Sequence, residues 1–241
     1  MKEYGASDIP GQAGVGSLLI QRLLEHCHRH RFPARATIIR QGAPTRDLYY
    51  LVSGSVAVLL EDASGHEIVL AYLYAGDFFG EAGLFNEDSR RTALVRARGR
   101  CEIATISYAR LRAMPDIFPG LLMIISRQMA RRLLNTNRKV GNLAFMDVSG
   151  RLARMLIDLC DSPEASISPQ GVRVRVTRHE LGRLIGCSRE MVGRVLKTME
   201  AGRLIDLDGK DIVVKTVRRS RLARPGARQD YRLFGLEAET D

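Results

Sequence analysis

Between residues 35 and 107 the chain carries six short apolar runs typical of β-strands, and this pattern limits the possible folds most strongly. Turn residues separate the runs, usually a glycine beside a small or polar residue. Short strands at nearly even spacing are typical of a β-sandwich or a jelly-roll barrel. The runs are 36–40, 48–52, 55–61, 67–73, 92–97 and 101–106.

A long helical stretch follows Pro119. Within it, apolar and small side chains recur at alternating intervals of four and three residues, which favours a helix through which two copies of the chain associate as a coiled coil. The alternative is an ordinary amphipathic helix packed on its own domain. The seam consists of Leu122, Ser126, Met129, Leu133, Thr136, Val140 and Leu143.

The last third of the chain has the element order of a winged helix-turn-helix. Thr177 and Ser188 are placed as N-caps of two short helices. Asp208-Gly209 is a hairpin signal. After a break at 147–150, the predicted elements are a helix at 151–160, a strand at 172–176, helices at 178–185 and 188–201, and hairpin strands at 203–207 and 210–217.

These patterns predict an α+β protein with an N-terminal jelly roll, a long dimerisation helix and a C-terminal winged helix-turn-helix. The predicted parts are a flexible segment 1–17, the jelly roll 18–118, the dimerisation helix 119–146, the helix-turn-helix domain 147–217 and an extension 218–241.

The second helix of the helix-turn-helix has one apolar and one polar face at about 100° per residue. The polar face carries charged side chains around a glycine: Arg189, Glu190, Gly193, Arg194 and Lys197. Arginine donates to guanine and glutamate accepts from cytosine in the major groove, while Thr177, Arg178 and Ser188 at the helix starts suit DNA phosphates. The alternative is a solvated helix face held by internal charge pairs.

Inside the jelly-roll region, Gly80-Glu81-Ala82-Gly83 precedes Arg91-Thr92. A barrel interior is apolar, so Arg91 requires an anion or a partner. The glycine-rich turn can present backbone N–H groups to an anion, Arg91 and Thr92 can bind a phosphate, and Glu81 suits a sugar hydroxyl. These residues indicate a nucleotide. An internal Glu81–Arg91 salt bridge explains the same spacing equally well.

Charge and cysteine content exclude few classes of protein. The formal net charge of +10 is shared as +5 by residues 1–147 and +5 by residues 148–241, so it favours an anionic partner without placing it. The four cysteines form no C-x-x-C pair, which argues against a metal cluster. In the run of alternating histidines at 26–30, an exposed polar face is favoured over a metal site.

The chain shows no pattern of a membrane protein or an enzyme. No apolar run approaches the roughly 20 residues of a membrane helix, and no signal peptide precedes the first helix, so we expect a cytoplasmic protein with no membrane contact. The sequence contains no evident catalytic triad, Cys-His pair or carboxylate pair, so neither an enzyme nor a bound cofactor is expected.

Residues 18–217 resemble the cyclic-AMP receptor protein (catabolite activator) family of bacterial transcription regulators, close to its pseudomonad virulence-factor regulator type. The segments that carry the resemblance include GSVAVLLEDASGHEIVLAYLYAGDFFGEAGLF, RRTALVRARGRCEIATISY, RKVGNLAFMDVSGRLARML and TRHELGRLIGCSREMVGRVLK. The resemblance implies a homodimer whose binding to near-palindromic double-stranded DNA is controlled by a cyclic nucleotide.

The resemblance also implies roles for individual positions. Arg91 and Thr92 would hold the cyclic phosphate, and Gly80-Glu81 the ribose. Thr136, with Asn137 of the partner subunit, would meet adenine. The implied DNA contacts fall on Arg178, Arg189, Glu190, Arg194 and Lys197, and the implied RNA polymerase contacts on His28, His30 and Arg110.

Two departures from the family pattern leave the ligand open. Asn137 replaces the usual serine and Ala82 the usual leucine, so cyclic AMP is the first choice. The alternative is cyclic di-GMP, bound with help from Arg132, in a protein whose DNA binding the ligand either promotes or inhibits. Outside this class, a cyclic-nucleotide-binding regulatory subunit without DNA function would share the jelly roll, but it would have no use for the charged helix face.

Overall fold

The computed structural model describes residues 12–86 and 90–215, and the side chains from Gly16 onward. The segment 1–11 and the extension 218–241 lie outside the described residues. The described chain forms two compact units, residues 12–140 and residues 141–215.

The first unit is built on two four-stranded antiparallel sheets, with strand orders β2-β7-β4-β5 and β1-β8-β3-β6 among the described residues. Its elements are α1 (Gln12–Glu25), β1 (His28–Phe32), β2 (Thr37–Ile39), β3 (Asp47–Ser53), β4 (Ser55–Glu61), β5 (Glu67–Tyr74), β6 (Phe78–Phe79), α2 (Ala82–Phe85), β7 (Leu94–Ala97), β8 (Cys101–Ser107), α3 (Tyr108–Arg112) and α4 (Phe118–Phe145), whose last residues, 141–145, belong to the second unit.

Alternating side chains of the two sheets form the core of this unit. Leu51, Val56 and Ile103 are fully buried, as expected for strands with one face turned toward a facing sheet. Phe78 fills a second cluster, in which Leu121 of α4 packs against the barrel. The jelly roll predicted from the six apolar runs is therefore the fold of this unit.

Four features of this unit differ from the prediction. Helix α1 begins at Gln12, inside the segment predicted to be flexible. The strand β1 was missed because His28-Arg-His-Arg-Phe32 has no apolar face; it is an edge strand that forms by pairing with β8. The strand β6 and the helix α3 are only two and five residues long, too short to show a period.

The helix α4 has 28 residues and agrees with the predicted dimerisation helix to within one residue at each end. Pro119 lies in its first turn, where no N–H is needed. Leu121 and Ile125, one turn apart, are its buried side chains.

The second unit continues with α5 (Val148–Cys160), β9 (Ser166–Ser168), β10 (Gly171–Arg175), α6 (Arg178–Ile185), α7 (Arg189–Ala201), β11 (Ile205–Asp208) and β12 (Asp211–Val214). Its described strands form an antiparallel sheet in the order β11-β12-β10-β9. Leu152, Leu156, Leu181 and Leu196 are buried where the three helices pack together. This is the predicted winged helix-turn-helix, with the short strand β9 added between the helix predicted at 151–160 and the strand predicted at 172–176.

Hydrogen bonds at the helix ends explain the boundaries of this unit. The Thr177 hydroxyl accepts from the Glu180 N–H at 3.1 Å and the Ser188 hydroxyl from the Met191 N–H at 3.2 Å, as predicted. Gly186 ends α6 in the left-handed conformation, with φ of 69°. The helix α5 begins three residues before the predicted 151 because Asp147 caps it, its Oδ1 accepting from the Gly150 N–H at 2.8 Å.

We predict that Asp147→Ala lowers the free energy of unfolding by about 1 kcal/mol, the usual cost of removing an N-cap. Asp147→Asn keeps an accepting oxygen and is the matched control, expected to unfold close to the unchanged protein. Urea unfolding followed by circular dichroism measures both variants. Equal midpoints for Asp147→Ala and the unchanged protein would show that this bond does not stabilise α5.

Candidate anion pocket and nucleic-acid interface

Arg91 lies inside the jelly roll with 7% of its surface exposed. Its Nη1 donates to the Gly80 carbonyl at 3.0 Å and to the Tyr108 hydroxyl at 3.2 Å, and its Nη2 donates to the Asp47 carbonyl at 2.7 Å. None of these partners is a charged group. Among the described residues, no carboxylate lies within ion-pair distance of Arg91, so the described part of the chain supplies no counter-ion for its charge.

The surroundings of Arg91 hold it in place without neutralising it. Its Cζ lies 5.3 Å from the centre of the Tyr49 ring, a cation–π contact. Burial raises the pKa of both Tyr49 and Tyr108, an effect that the Arg91 charge partly opposes, so both phenols stay neutral. A guanidinium has five N–H donors; three are taken by these acceptors, and the Tyr49 side chain also hydrogen-bonds the guanidinium. The edge formed by Nε and Nη2 is the side on which a bidentate phosphate contact would form.

Glu81 does not pair with Arg91. Its Oε1 lies 3.0 Å from Nη1 of Arg132 on α4, and Arg132 also donates to the Phe78 carbonyl and lies 3.8 Å from Asp77. The internal Glu81–Arg91 salt bridge left open by the sequence is therefore absent. Arg132, expected only as a contact to a larger ligand, instead ties the glycine-rich turn to α4.

The glycines of the turn are required by close packing. Gly80 has φ of 76°, and a Cβ there would come within 2.6 Å of Nη1 of Arg91. A Cβ on Gly83 would come within 2.7 Å of the Tyr108 hydroxyl. Ala82 is the first residue of the four-residue helix α2. Thr92 follows Arg91 directly and is exposed.

Gln128 on α4 also hydrogen-bonds the segment that precedes the glycine-rich turn. Its Oε1 accepts from the Phe78 N–H at 2.9 Å, and its Nε2 donates to the Gly76 carbonyl at 3.0 Å. Further along the helix, Nζ of Lys139 donates to the Leu70 carbonyl at 2.7 Å. Sequence reasoning missed these contacts, although Leu121, Ile125, Gln128 and Arg132 follow a spacing of four, three and four residues that could have indicated a second stripe on α4.

We call the stripe formed by Leu121, Ile125, Gln128 and Arg132 the bonded stripe. Each residue of the predicted seam up to Leu133 lies one position after a residue of the bonded stripe, which is about 100° around the helix. Leu133 is 61% exposed and Val140 is 60% exposed in the single chain. Thr136 lies one turn beyond Arg132, and both Thr136 and Asn137 are exposed. The helix α4 therefore carries one stripe bonded to the jelly roll and a neighbouring apolar stripe that the single chain leaves uncovered.

In the second unit, α7 buries its apolar face and exposes its charged face as predicted. Val192, Val195, Leu196 and Met199 are buried. The side chains predicted to contact DNA bases are exposed: Arg189, Glu190, Arg194 and Lys197. No salt bridge joins any of these four to another residue of the described part of the chain, which argues against the alternative of a face held by internal charge pairs.

The electrostatics of α7 leave Glu190 as a charged acceptor. Its own backbone N–H and the Ser188 hydroxyl donate to the carboxylate and lower its pKa. Arg178, at the start of α6, is exposed beside this helix, and a Cβ on Gly193 would lie 3.8 Å from its Cδ. Arg178 thus lies next to the only glycine of the charged face of α7.

The residues implied as polymerase contacts lie on the surface of the first unit. His28 and His30 are exposed on the edge strand β1, two positions apart and therefore on the same side of the strand. Arg110 on α3 is exposed, and its charge acts on the Cys27 thiol next to His28. Burial nevertheless raises the pKa of Cys27 to about 11.

Metal and membrane sites find no support in the described part of the chain. It contains no group of three His, Cys, Asp or Glu side chains that could hold a metal ion, and this includes the histidines at 26–30. Its helices also include none that is long and apolar enough to cross a membrane.

Both units match known protein families. Residues 29–116 match the cyclic nucleotide-binding domain, and residues 150–224 match the Crp-like helix-turn-helix domain. The cAMP-activated global transcriptional regulator CRP of Pasteurella multocida is 50% identical over 195 residues, covering 81% of this chain and 93% of that protein. The cAMP-activated global transcriptional regulator Vfr of Pseudomonas aeruginosa is 48% identical over 198 residues, covering 81% of this chain and 92% of that protein.

A solved structure shares the whole architecture. It is that of CLP, the c-di-GMP responsive global regulator of Xanthomonas campestris, at 45% identity and a TM-score of 0.79, covering 83% of this chain and 100% of that one. These relatives are transcription regulators rather than enzymes, and their similarity extends over both units. The chain therefore belongs to the cyclic-AMP receptor protein family of DNA-binding transcription regulators controlled by cyclic nucleotides.

Proposed function

We propose that the chain is a homodimeric transcription regulator whose affinity for DNA is controlled by cyclic AMP bound in the jelly roll. The observation that carries the proposal is the buried Arg91 guanidinium, which contacts only neutral groups and has no carboxylate partner among the described residues. Burying a charge without a partner is costly, and an anionic ligand at this position would remove that cost.

In this proposal each pocket residue has one task. Arg91 and Thr92 bind the cyclic phosphate. The Gly80–Glu81 turn and Ala82 line the ribose side, where Glu81 accepts from a hydroxyl while remaining paired with Arg132. Thr136 of the same subunit and the partner subunit's Asn137 meet the purine, so the ligand contacts the helix through which two copies associate. A ligand shifts an equilibrium only by its differential affinity for the two states, and in this proposal the two states differ in the arrangement of the hinge at 145–147, at the end of this helix.

The exposed seam of α4 supports the homodimer. A second copy would cover the apolar side chains of the seam, while the bonded stripe keeps each helix on its own jelly roll. Two copies of α7 then face a near-palindromic double-stranded site with half-sites about one helical turn apart. Arg189, Glu190, Arg194 and Lys197 contact bases, and Thr177, Arg178 and Ser188 contact phosphates.

Activation of transcription would use the surface at β1 and α3. His28, His30 and Arg110 are exposed on the first unit and are offered to RNA polymerase. A regulator with these partners acts in the bacterial cytoplasm and requires no cofactor other than its nucleotide effector.

Cyclic di-GMP is the second candidate ligand, because CLP of Xanthomonas campestris is c-di-GMP responsive and is 45% identical to this chain. The departures at Ala82 and Asn137 fit a changed pocket. The contacts of Arg132 argue against cyclic di-GMP. Its guanidinium is already paired with Glu81 and hydrogen-bonded to the Phe78 carbonyl, so it does not supply a second phosphate contact.

We predict micromolar binding of cyclic AMP, tighter DNA binding in its presence, and loss of both effects in Arg91→Ala. The neighbouring Arg90, exposed and donating to the Gly42 carbonyl at 3.0 Å, supplies the control, since Arg90→Ala leaves the pocket intact. Calorimetry with cyclic AMP and cyclic di-GMP side by side, and fluorescence anisotropy of labelled operator DNA, make the measurement. Binding of cyclic di-GMP alone would overturn the choice of cyclic AMP, and a normal response in Arg91→Ala would overturn the pocket.

The position of the seam predicts that substitutions of two adjacent leucines change the dimer dissociation constant to very different extents. Leu133 and Leu134 are 61% and 63% exposed in the single chain, but only Leu133 lies on the seam. Leu133→Asp places a charge in the dimer interface, so we expect it to raise the dimer dissociation constant at least tenfold, whereas Leu134→Asp leaves it nearly unchanged. Sedimentation velocity distinguishes the two. Equal effects of the two substitutions would place the interface elsewhere.

We predict that Arg194→Ala lowers the binding free energy for operator DNA by about 1–3 kcal/mol, because it removes a bidentate contact with one guanine. Binding of the unchanged protein and the variant to a set of operators, each with one base pair replaced, measures the effect. The variant should lose discrimination at a single position of each half-site. A uniform loss on every operator would instead identify Arg194 as a phosphate contact.

A further inference from the structure

Tyr108 has the most fixed position among the side chains that touch Arg91. It is the first residue of α3 and is 6% exposed. Its N–H donates to the Arg46 carbonyl at 3.0 Å, while the Ser107 hydroxyl caps the helix by accepting from the Arg110 N–H at 3.2 Å. Its ring packs in the core cluster that also contains Leu111. The backbone and the ring of Tyr108 are thereby held by the first unit.

The Tyr108 hydroxyl closes a triangle with the two sides of the pocket. It accepts from Nη1 of Arg91 at 3.2 Å and donates to the Gly80 carbonyl, and the same Nη1 donates to that carbonyl at 3.0 Å. Arg91 is the proposed phosphate ligand, and Gly80 begins the turn proposed for the ribose. One hydroxyl therefore sets the position of the arginine relative to the turn.

The space around this hydroxyl is filled by protein atoms. A Cβ on Gly83 would come within 2.7 Å of it and within 2.7 Å of Cβ of Thr45. Burial raises the pKa of Tyr108, so the group keeps its proton and can donate to Gly80 while it accepts from Arg91. The hydroxyl also occupies an Nη1 donor of Arg91, which leaves the Nε and Nη2 side for an anion.

We infer that Tyr108 is a positioning residue for the phosphate of the cyclic nucleotide, acting through Arg91. This inference rests on the proposed function, because it assigns a task to a residue that would not touch the ligand itself. Without the hydroxyl, the guanidinium keeps its two carbonyl acceptors but can turn about them. Ligand binding must then supply the free energy of ordering the guanidinium, which weakens the affinity.

The test is Tyr108→Phe, which keeps the buried ring and removes only the hydroxyl. Tyr50→Phe is the matched control, since Tyr50 packs its ring against Phe78 at 4.8 Å between centroids but makes no contact with Arg91. Calorimetry should show a loss of affinity for cyclic AMP of roughly fivefold to tenfold for Tyr108→Phe, the effect of one typical intramolecular hydrogen bond, and of less than twofold for Tyr50→Phe.

A double-mutant cycle separates positioning from a general loss of structure. In an Arg91→Lys background the hydroxyl has no guanidinium to orient, so Tyr108→Phe should change affinity by less than twofold. Equal losses in the unchanged and Arg91→Lys backgrounds, or no loss in either, would overturn the inference while leaving the cyclic-nucleotide proposal standing. Failure of the unchanged protein to bind any cyclic nucleotide would instead overturn that proposal.

A second measurement needs no ligand. In ¹⁵N spectra of the free protein, the two Nη nitrogens of Arg91 should give separate signals, because hydrogen bonds slow rotation of the guanidinium. Tyr108→Phe should speed that exchange several-fold, and Tyr50→Phe should not. Unchanged exchange in Tyr108→Phe would show that the hydroxyl does not hold Arg91.

Discussion

The pocket depends on a positive charge that the protein buries without a described carboxylate to neutralise it. Arg91 is held by two main-chain carbonyls, one phenol and the face of a second ring. Carbonyl dipoles stabilise the charge only in part, so the guanidinium keeps both a fixed orientation and an electrostatic preference for an anion. A Glu81–Arg91 salt bridge would have removed that preference. The structure avoids it by pairing Glu81 with Arg132.

That pairing also connects the pocket to the long helix. Arg132 and Gln128, one turn apart on α4, bind the segment 76–81 through side-chain and main-chain contacts. The exposed seam lies about 100° around the same helix. The Glu81–Arg132 pair therefore connects a ligand at the glycine-rich turn to the helix on which a second copy would pack. In the proposed mechanism this short path links nucleotide binding to the geometry of the dimer.

The charge of the chain has a different use in each unit. In the first unit it includes the buried Arg91 and an edge strand whose Arg29 and Arg31 share Glu102, at 3.4 and 3.2 Å. In the second unit it lies on the exposed face of α7, where no described salt bridge neutralises it. The net charge of +10 pointed to anionic partners, but its placement separates the proposed nucleotide pocket from the proposed DNA-binding surface.

The sequence by itself determined the two folds, the long helix and the charged face of α7, because strand period, heptad spacing and N-caps are local properties. Thr177 and Ser188 cap the helices where predicted, since each cap bonds a backbone N–H only three residues away. The strand β1 has no apolar period and forms only by pairing with β8, so it could not be predicted in this way. Only the tertiary structure decided the partners of Arg91, Glu81 and Tyr108. The hydrogen bonds of Arg91 to Gly80 and of Arg132 to Glu81 join residues 11 and 51 positions apart, and they exist because the folded first unit brings these segments together.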